Sequence, residues 1–318
     1  VRKAVHSGFG VRFAYTGHDL HGLCLGPDGK LYFSMGDRGL HVETEGRVVS
    51  APDMGSVLRC NLDGSDLEFF AVGVRNPQEL AFDKYGNLWT GDNNADIGDR
   101  SRLVYVMEGG DSGWRIGYQH MPGGGPWITE QLWQRDAPAP YLVPPVGYVA
   151  NGPAGLAYYP GTGLPDRYKD HFLLCDYPGG IHSFTVEPKG AGFELVDPQR
   201  FLWNLLPTDV TFGPAGGVFA LDWVGRPEGV WGQSSRGRIY HLFDPEIQRS
   251  VLVQETKRFL AEGMGKRSPK QLGGLLGHQD QRVRQAAQFE LAARGESVAA
   301  ALAGRAADGP LLGRLHAI

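Results

Sequence analysis

The feature that most constrains the fold is a loose repeat that occurs four times along the chain. Each copy has an apolar strand, a turn rich in Gly and Asp, and a second strand that ends in aspartate; the copies cover residues 22–37, 79–92, 155–176 and 209–222. They recur about every 55–75 residues. A strand pair that cannot bury its apolar face alone must stack on its neighbours. The repeat therefore predicts an array of stacked β-sheets.

Further strands are predicted beside these copies. The segments 57–61, 102–106, 181–186 and 237–242 have the residue types of partner strands. The chain has 47 glycines and 21 prolines, which suit many short strands joined by tight turns. An array of such sheets with its loops gathered at one mouth is a β-propeller. We expect a mainly β protein with about five propeller blades in this chain.

The composition changes after residue 243. Apolar positions fall at helical spacing, and residues 272–292 resemble a HEAT repeat in which Asp280 caps the second helix and Arg284 pairs across the repeat. The apolar rows are Leu272, Leu275 and Leu276, then Val283, Ala286, Ala287 and Leu291. We predict a propeller over residues 1–244, a helical linker over 245–266 and a HEAT-like segment, incomplete at its C-terminus, over 267–318.

Charge and cysteine usage exclude several classes of partner. The net charge of −4 and the pI near 6.2 give no reason to expect nucleic acid binding. Cys24, Cys60 and Cys175 are far apart and form neither a CxxC nor a CxxCH motif, so a haem is not expected on this chain. Cys24 and Cys175 lie in strand-like runs and are predicted to be core thiols.

Residues 73–114 carry the densest polar pattern. Two predicted strands run into the stretch from Asp92 to Asp99, which holds three aspartates and two asparagines. Hard cations such as Ca²⁺ bind several oxygen ligands of this kind, and Gly98 supplies the freedom to wrap them. The alternative is an Asx-rich turn that satisfies its own backbone.

The run GVRNPQELAFDKYGNLW at residues 73–89, followed by this acidic loop, resembles the soluble quinoprotein glucose/sorbosone dehydrogenases and aldose sugar dehydrogenases. The resemblance implies a six-bladed propeller, N-terminally incomplete here, with pyrroloquinoline quinone (PQQ) and calcium as cofactors. The chain also resembles the large membrane-bound dehydrogenase proteins of planctomycetes and verrucomicrobia. These join such a propeller to HEAT repeats and a c-type haem domain, so the resemblance implies an extracytoplasmic location and a cytochrome c electron acceptor.

The resemblance assigns a catalytic base to His18, which lies eight residues before the first Gly-Pro-Asp turn. A histidine suits this role because its pKa lies near working pH. Asp19 or another carboxylate could orient the ring, and His21 is a rival for the same role.

The resemblance also assigns cofactor and metal residues. Arg75 and Asn76 would grip the quinone, because a planar fork of donors suits an oxygen-rich ring. Asn93 and Asp99 would complete the cofactor site. Calcium would be bound by Asp92, Asn94, Ala95 and Asp96, partly through backbone carbonyls.

Two segments depart from the family pattern. Where the family has a lysine, this chain has Pro178, Gly179 and Gly180, and where it has Arg-x-Arg this chain has residues 206–209. Loss of three cations should weaken binding of a tricarboxylate, since each charge-assisted bond is worth about 1.5–3 kcal/mol. Arg226, Arg236 or Arg238 could compensate.

The loop over residues 117–153 is rich in proline and glycine and lies beside Trp114, Trp127 and Trp133. These rings could stack on a sugar or staple the loop.

The predicted function is oxidation of an aldose or related carbohydrate with PQQ and calcium. The alternatives are a non-catalytic calcium-binding scaffold for carbohydrate or protein, and a calcium-dependent, lactonase-like hydrolase.

Overall fold

The computed structural model describes residues 4–14, 17–136, 139–177, 179–223 and 237–318. These ranges contain sixteen strands. They are β1 (Leu20–Leu25), β2 (Leu31–Met35), β3 (Leu40–Thr44), β4 (Arg47–Ala51), β5 (Gly55–Cys60), β6 (Glu68–Val74), β7 (Pro77–Phe82), β8 (Leu88–Asp92), β9 (Arg102–Val106), β10 (Pro153–Tyr158), β11 (Phe172–Asp176), β12 (Gly179–Lys189), β13 (Gly192–Leu205), β14 (Pro207–Phe212), β15 (Val218–Asp222) and β16 (Arg238–Leu242).

Four antiparallel sheets form a propeller-like arrangement. Their strand orders are β1-β2-β5-β6, β7-β8-β9, β10-β11-β12-β13 and β14-β15-β16, and we number them blades 1 to 4. The first strands of the blades lie side by side, with β1 against β7, β7 against β10 and β10 against β14. Each of these inner strands has a register shift near its start, where a β-bulge twists the strand.

The predicted repeat and its partner strands are confirmed. The four copies form β1–β2, β7–β8, β10–β11 and β14–β15, and the partner segments form β5, β9, β12 and β16. About five blades were expected, and the described residues form four sheets of three or four strands and a separate hairpin, β3–β4, inserted between β2 and β5. The loop after β9 contains short 3₁₀ turns and α1 (Gly125–Thr129) rather than a further sheet.

In three blades, the aspartate at the end of the second strand accepts hydrogen bonds from the backbone just before the first strand. Asp92 Oδ1 accepts the backbone N–H groups of Arg75 and Asn76, just before β7. Asp176 and Asp222 accept backbone N–H groups just before β10 and β14 in the same way. Each carboxylate therefore fixes the chain where it enters its own blade, and each of these inner strands begins with proline.

The chain continues as helices after β16. They are α2 (Pro245–Gln248), α3 (Val251–Glu262), α4 (Pro269–Leu275), α5 (Gln281–Ala293), α6 (Ala299–Ala307) and α7 (Leu311–Leu315). Leu272, Leu276, Val283, Ala287 and Leu291 form a shared core, as the apolar rows predicted.

The predicted cap of the second helix is present, because the Asp280 side chain accepts the Arg282 N–H. Arg284 does not pair across the repeat. Its guanidinium donates to the His278 and Gln279 carbonyls of the turn between α4 and α5. Assignment of these helices to the HEAT class stays a prediction.

Within the described ranges, no helix has the length and apolar character needed to cross a membrane. The three cysteines are free thiols. Cys175 is fully buried and Cys24 is half-buried, and burial raises the pKa of both thiols, which fits core packing.

Candidate functional site

His18 and Asp37 form a buried pair at the mouth of blade 1. The His18 Nδ1 atom lies 2.7 Å from Asp37 Oδ1, and the two side chains are 5% and 1% exposed. Asp37 follows β2, where the repeat ends in aspartate. Gly36 lets the two strands approach, since a Cβ there would lie 2.7 Å from the His18 carbonyl. The carboxylate fixes the ring orientation and its tautomer.

The other residues considered for this role have different partners. Asp19 pairs with Arg38, so the carboxylate that orients the ring is Asp37. The His21 Nε2 atom bonds to the Gly17 carbonyl at 2.8 Å, which is a local turn contact. Geometry therefore favours His18 over His21.

Arg75 and Asn76 lie next to this pair. The Arg75 carbonyl accepts the Asp37 N–H at 2.8 Å, and Arg75 Nε lies 4.0 Å from Asp37 Oδ2. The guanidinium also donates to the Asn94 carbonyl and to Gln119 Oε1. It is 5.6 Å from the centre of the Trp114 ring. The structure therefore brings His18, Arg75 and Asn76 together, and their roles in a cofactor site stay predictions.

Asn76 carries an unsatisfied acceptor. The side chain is 2% exposed, and its Oδ1 atom has no hydrogen-bond partner among the described residues. A buried amide oxygen without a donor costs free energy, about 1–3 kcal/mol. Such an atom points to a ligand that donates a hydrogen bond at this position.

The carboxylates of the acidic loop mostly face their own backbone. Asp92 Oδ2 pairs with Arg102, while Oδ1 holds the start of β7. Both Asp99 oxygens accept the Ala95 N–H, and Oδ2 also accepts the Trp127 indole N–H. This is the geometry of the Asx-rich turn that was the alternative to a calcium loop.

The remaining loop residues offer few carboxylate ligands. Asp96 is exposed and accepts a bond from the Asn94 amide, and Ser101 bonds to the Asn93 and Asn94 side-chain oxygens. No group of three or more His, Cys, Asp or Glu side chains that could hold a metal occurs in the described part of the chain. A calcium ion here would be coordinated mainly by amide and backbone carbonyl oxygens, and its binding stays a prediction.

Two tryptophans connect the His18 pair to the acidic loop. Trp114 Nε1 donates to Asp37 Oδ2 at 2.9 Å, and Trp127 Nε1 donates to Asp99 Oδ2 at 2.8 Å. The two rings are buried and meet edge to face, 5.1 Å apart. They staple the loop after β9 rather than offering a face to a sugar.

Gln119, Arg102 and the tryptophan–carboxylate bonds were not predicted from the sequence. The recurrence of aspartate at strand ends was the available signal that buried donors must exist nearby.

Two acidic residues lie on the inner strands of blades 2 and 4, Glu79 on β7 and Asp209 on β14, and Asp209 belongs to the segment 206–209 where the resemblance implies cations. Burial, with the negative charge of Asp209 added, raises the pKa of Glu79 to about 7. Burial also raises the pKa of Asp209 on β14. Arg238 is the first residue of strand β16, opposite Asp222 in the register, and its guanidinium donates to Tyr240. Arg226, Arg236 and Pro178 lie outside the described residues.

A cavity of about 650 Å³ lies at the opposite end of the inner strands. Cys24, Phe82 and Tyr158 line it together with Gln285 of α5. It lacks the His–Asp pair and the arginine of the mouth.

Comparison with known proteins gives the family. Quinoprotein glucose dehydrogenase B from Acinetobacter calcoaceticus is 31% identical over 125 residues, a match that covers 30% of this chain and 26% of that protein. A solved oxidoreductase described as a glucose dehydrogenase, from Thermus thermophilus, superposes with a TM-score of 0.50 at 18% identity, covering 70% of this chain and 63% of that chain. The PQQ-bound aldose sugar dehydrogenase from Streptomyces coelicolor gives a TM-score of 0.47 at 19% identity, covering 70% and 62%.

The chain thus spans about a quarter of the curated relative and under two thirds of these solved chains. The Thermus structure supports the fold. The sequence profile of the Glucose / Sorbosone dehydrogenase family matches residues 12–176, which is more than half of the chain and includes every residue of the site described above. A chain with this match and this arrangement of sheets belongs to the glucose/sorbosone dehydrogenase family.

Proposed function

We propose that this chain is the propeller of a quinoprotein-type oxidoreductase that oxidises an aldose or a related carbohydrate. The observation that carries the proposal is the buried His18–Asp37 pair held against Arg75 and Asn76. We further propose an extracytoplasmic location and a cytochrome c electron acceptor, which follow from the family resemblance.

The residues of blades 1 and 2 fit a planar quinone cofactor. Asn76 Oδ1 is a buried acceptor that lacks a donor among the described residues, and Arg75 supplies positive charge beside it. PQQ, when bound, supplies a two-electron acceptor. The described parts of blades 3 and 4 add no matching cations at residues 179–180 and 206–209, so we expect weaker retention of the cofactor carboxylates than in a site that has them.

His18 would act as the base. Asp37 accepts a hydrogen bond from the Nδ1–H group of His18, so in that tautomer the basic nitrogen of the ring is Nε2. Removal of the proton from a sugar hydroxyl by Nε2 leaves an imidazolium, which the buried Asp37 carboxylate stabilises. Arg75 and Trp114 hold that carboxylate in place from the other side.

Calorimetric titration of PQQ into the calcium-loaded full-length protein tests the proposal. We expect a Kd in the micromolar range or tighter, lost in the Arg75→Ala/Asn76→Ala variant. The Gln199→Ala/Arg200→Ala variant changes two exposed residues of outer strand β13 and should bind like the unmodified protein. The His18→Asn variant should bind PQQ but lose dye-linked aldose oxidation.

A calcium-binding scaffold is the second candidate. The internal pairing of the Arg75 guanidinium with Asn94 and Gln119 favours it, because these bonds would have to rearrange around a cofactor. No PQQ binding, in a protein whose melting temperature still rises with calcium, would reject the quinoprotein function and leave the scaffold or the lactonase-like hydrolase.

A further inference from the structure

Helix α5 lies across the ends of the inner strands, on the side of the propeller away from His18. Two of its side chains bond to the turn that follows β1 in blade 1. Gln285 Nε2 donates to the Leu25 carbonyl at 3.2 Å, and Gln288 Nε2 donates to the Pro27 carbonyl at 2.7 Å. The helix thus binds backbone atoms of this turn.

The first residues of α5 bond to the other three blades. In blade 2, Gln281 Nε2 donates to the Asp83 carbonyl at 3.0 Å. In blade 3, the Gln281 backbone N–H donates to the Pro160 carbonyl at 2.7 Å. In blade 4, Arg282 Nη1 donates to the Gly213 carbonyl at 2.7 Å. One helix therefore binds the turn after the inner strand in each of the four blades.

The helical periodicity of α5 places the residues that contact the blades and the residues of the helical core on different faces. Residues 281, 285 and 288 are spaced at i, i+4 and i+7 and share one face. Val283, Ala287 and Leu291 lie on another face and belong to the buried core of the helical segment. The blade contacts are polar and directed at carbonyl groups, so they fix positions rather than provide a large apolar interface.

The held turns lie at the far ends of the strands that begin at the site. Strand β1 starts two residues after His18 and ends at Leu25, and β7 starts directly after Asn76 and ends at Phe82. A six-residue strand spans about 17–20 Å, and β1 and β7 are each hydrogen-bonded to the second strand of their own blade. Because α5 holds the C-terminal ends of both β1 and β7, it constrains the relative position of their N-terminal ends, which lie beside His18 and Asn76.

We propose that α5 is a clasp that ties the four blades together and, through β1 and β7, positions His18 relative to Arg75 and Asn76. Under this proposal the helical segment is part of the propeller fold rather than an independent appendage. The proposal does not depend on the bound cofactor or on the reaction.

Amide hydrogen exchange of single variants tests the blade assignments. Gln285→Ala and Gln288→Ala should accelerate exchange mainly in peptides that contain residues 24–30. Gln281→Ala should act mainly on residues 80–87. Arg282→Ala should act on residues 211–217 and also on the start of α5, because Arg282 pairs with the buried Asp280. Loss of one hydrogen bond should accelerate local exchange by about threefold to tenfold. Uniform acceleration over all blades, or none, would overturn the proposal.

The variant with all four of these alanine substitutions tests the coupling to the site. The amides of Arg75 and Asn76 donate to Asp92, so their exchange reports directly on the entrance of β7. We expect faster exchange there and a lower melting temperature. The control changes Gln254, Glu255, Lys257 and Arg258, all exposed on α3, to alanine and should leave both unchanged.

Thermal unfolding of the unmodified full-length protein gives a second readout that needs no substitution. A clasp predicts that helices and sheets unfold in one transition. Separate unfolding of the helical segment, with exchange at residues 73–79 unaffected, would show that α5 does not position the site.

Discussion

The indole N–H of Trp114 donates to the Asp37 carboxylate although 77 positions separate the two residues in sequence. The same carboxylate holds the His18 ring, so an aromatic residue beyond blade 2 helps to fix a histidine at the start of blade 1. This bond joins the loop after blade 2 to blade 1, and no local sequence pattern predicts it.

Replacement of Trp114 by phenylalanine should therefore destabilise the protein. The change keeps a buried ring but removes the donor to a buried carboxylate, and we expect a loss of about 1.5–3 kcal/mol in the free energy of unfolding. Urea denaturation measures it. Trp133→Phe is the matched control, since Trp133 is half-buried and its backbone carbonyl, rather than its ring, accepts the bond from Tyr148. Equal stability of the two variants would contradict a bracing role for the Trp114 bond.

Gly36→Ala should displace His18. The added Cβ would lie within 2.8 Å of the His18 backbone, and relief of that overlap must move the segment just before β1 that carries His18. We expect a cost of about 1–3 kcal/mol in unfolding free energy, together with lost dye-linked oxidation if the proposed function holds. Gly117→Ala, at a position with open space around it, is the control. A stable, fully active Gly36→Ala protein would argue against His18 as the base.

The Asp92→Asn variant tests whether the Asp92 carboxylate stabilises the fold or binds calcium. Asp92 pairs with the buried Arg102 and holds two backbone N–H groups, so its replacement should cost about 3–5 kcal/mol. That loss should be the same in calcium and in a chelator. Asp96→Asn changes an exposed side chain and should have little effect on stability in the chelator. A loss that appears only in calcium would mean that Asp92 binds the ion.

Glu79 should make the protein less stable as pH rises. Its pKa is raised from 4.5 to about 7 in the folded state, so the folded protein binds this proton more tightly than the unfolded chain does. The stabilisation is complete below about pH 4.5 and is lost as pH rises through 7, and the raised pKa of Asp209 acts in the same direction.

Glu79→Gln should remove about 2–3 kcal/mol of this pH dependence between pH 5 and 8. Urea unfolding across that range measures it, with Glu43→Gln at an exposed position as the control. A variant with the unmodified protein's pH profile would show that Glu79 is not the group responsible.

The sequence predicted what is local. Alternation and turn residues located both strands of every repeat, and helical spacing located α4 and α5 with the Asp280 cap. It also placed His18 and Arg75 in one site, through resemblance.

It did not predict which partner each polar group takes. The direction of the Asp99 carboxylate, toward an ion or toward its own backbone, depends on where Trp127 lies after folding. The Arg75–Gln119 bond likewise joins residues 44 positions apart. Asp19 was a candidate to orient the His18 ring, but its carboxylate pairs with Arg38.

The repeated aspartate also bears on how the proposed base could arise in a fold built of similar blades. In blades 2 to 4 the acid accepts backbone N–H groups of a turn in front of a proline, and in blade 3 it also pairs with the His182 ring. In blade 1 the chain enters through His18 and Asp19, and the acid pairs with the His18 ring of this entering segment. The carboxylate is common to all four units, and the groups that it binds differ. Under the proposed function, the base therefore lies in the one blade whose inner strand does not begin with proline.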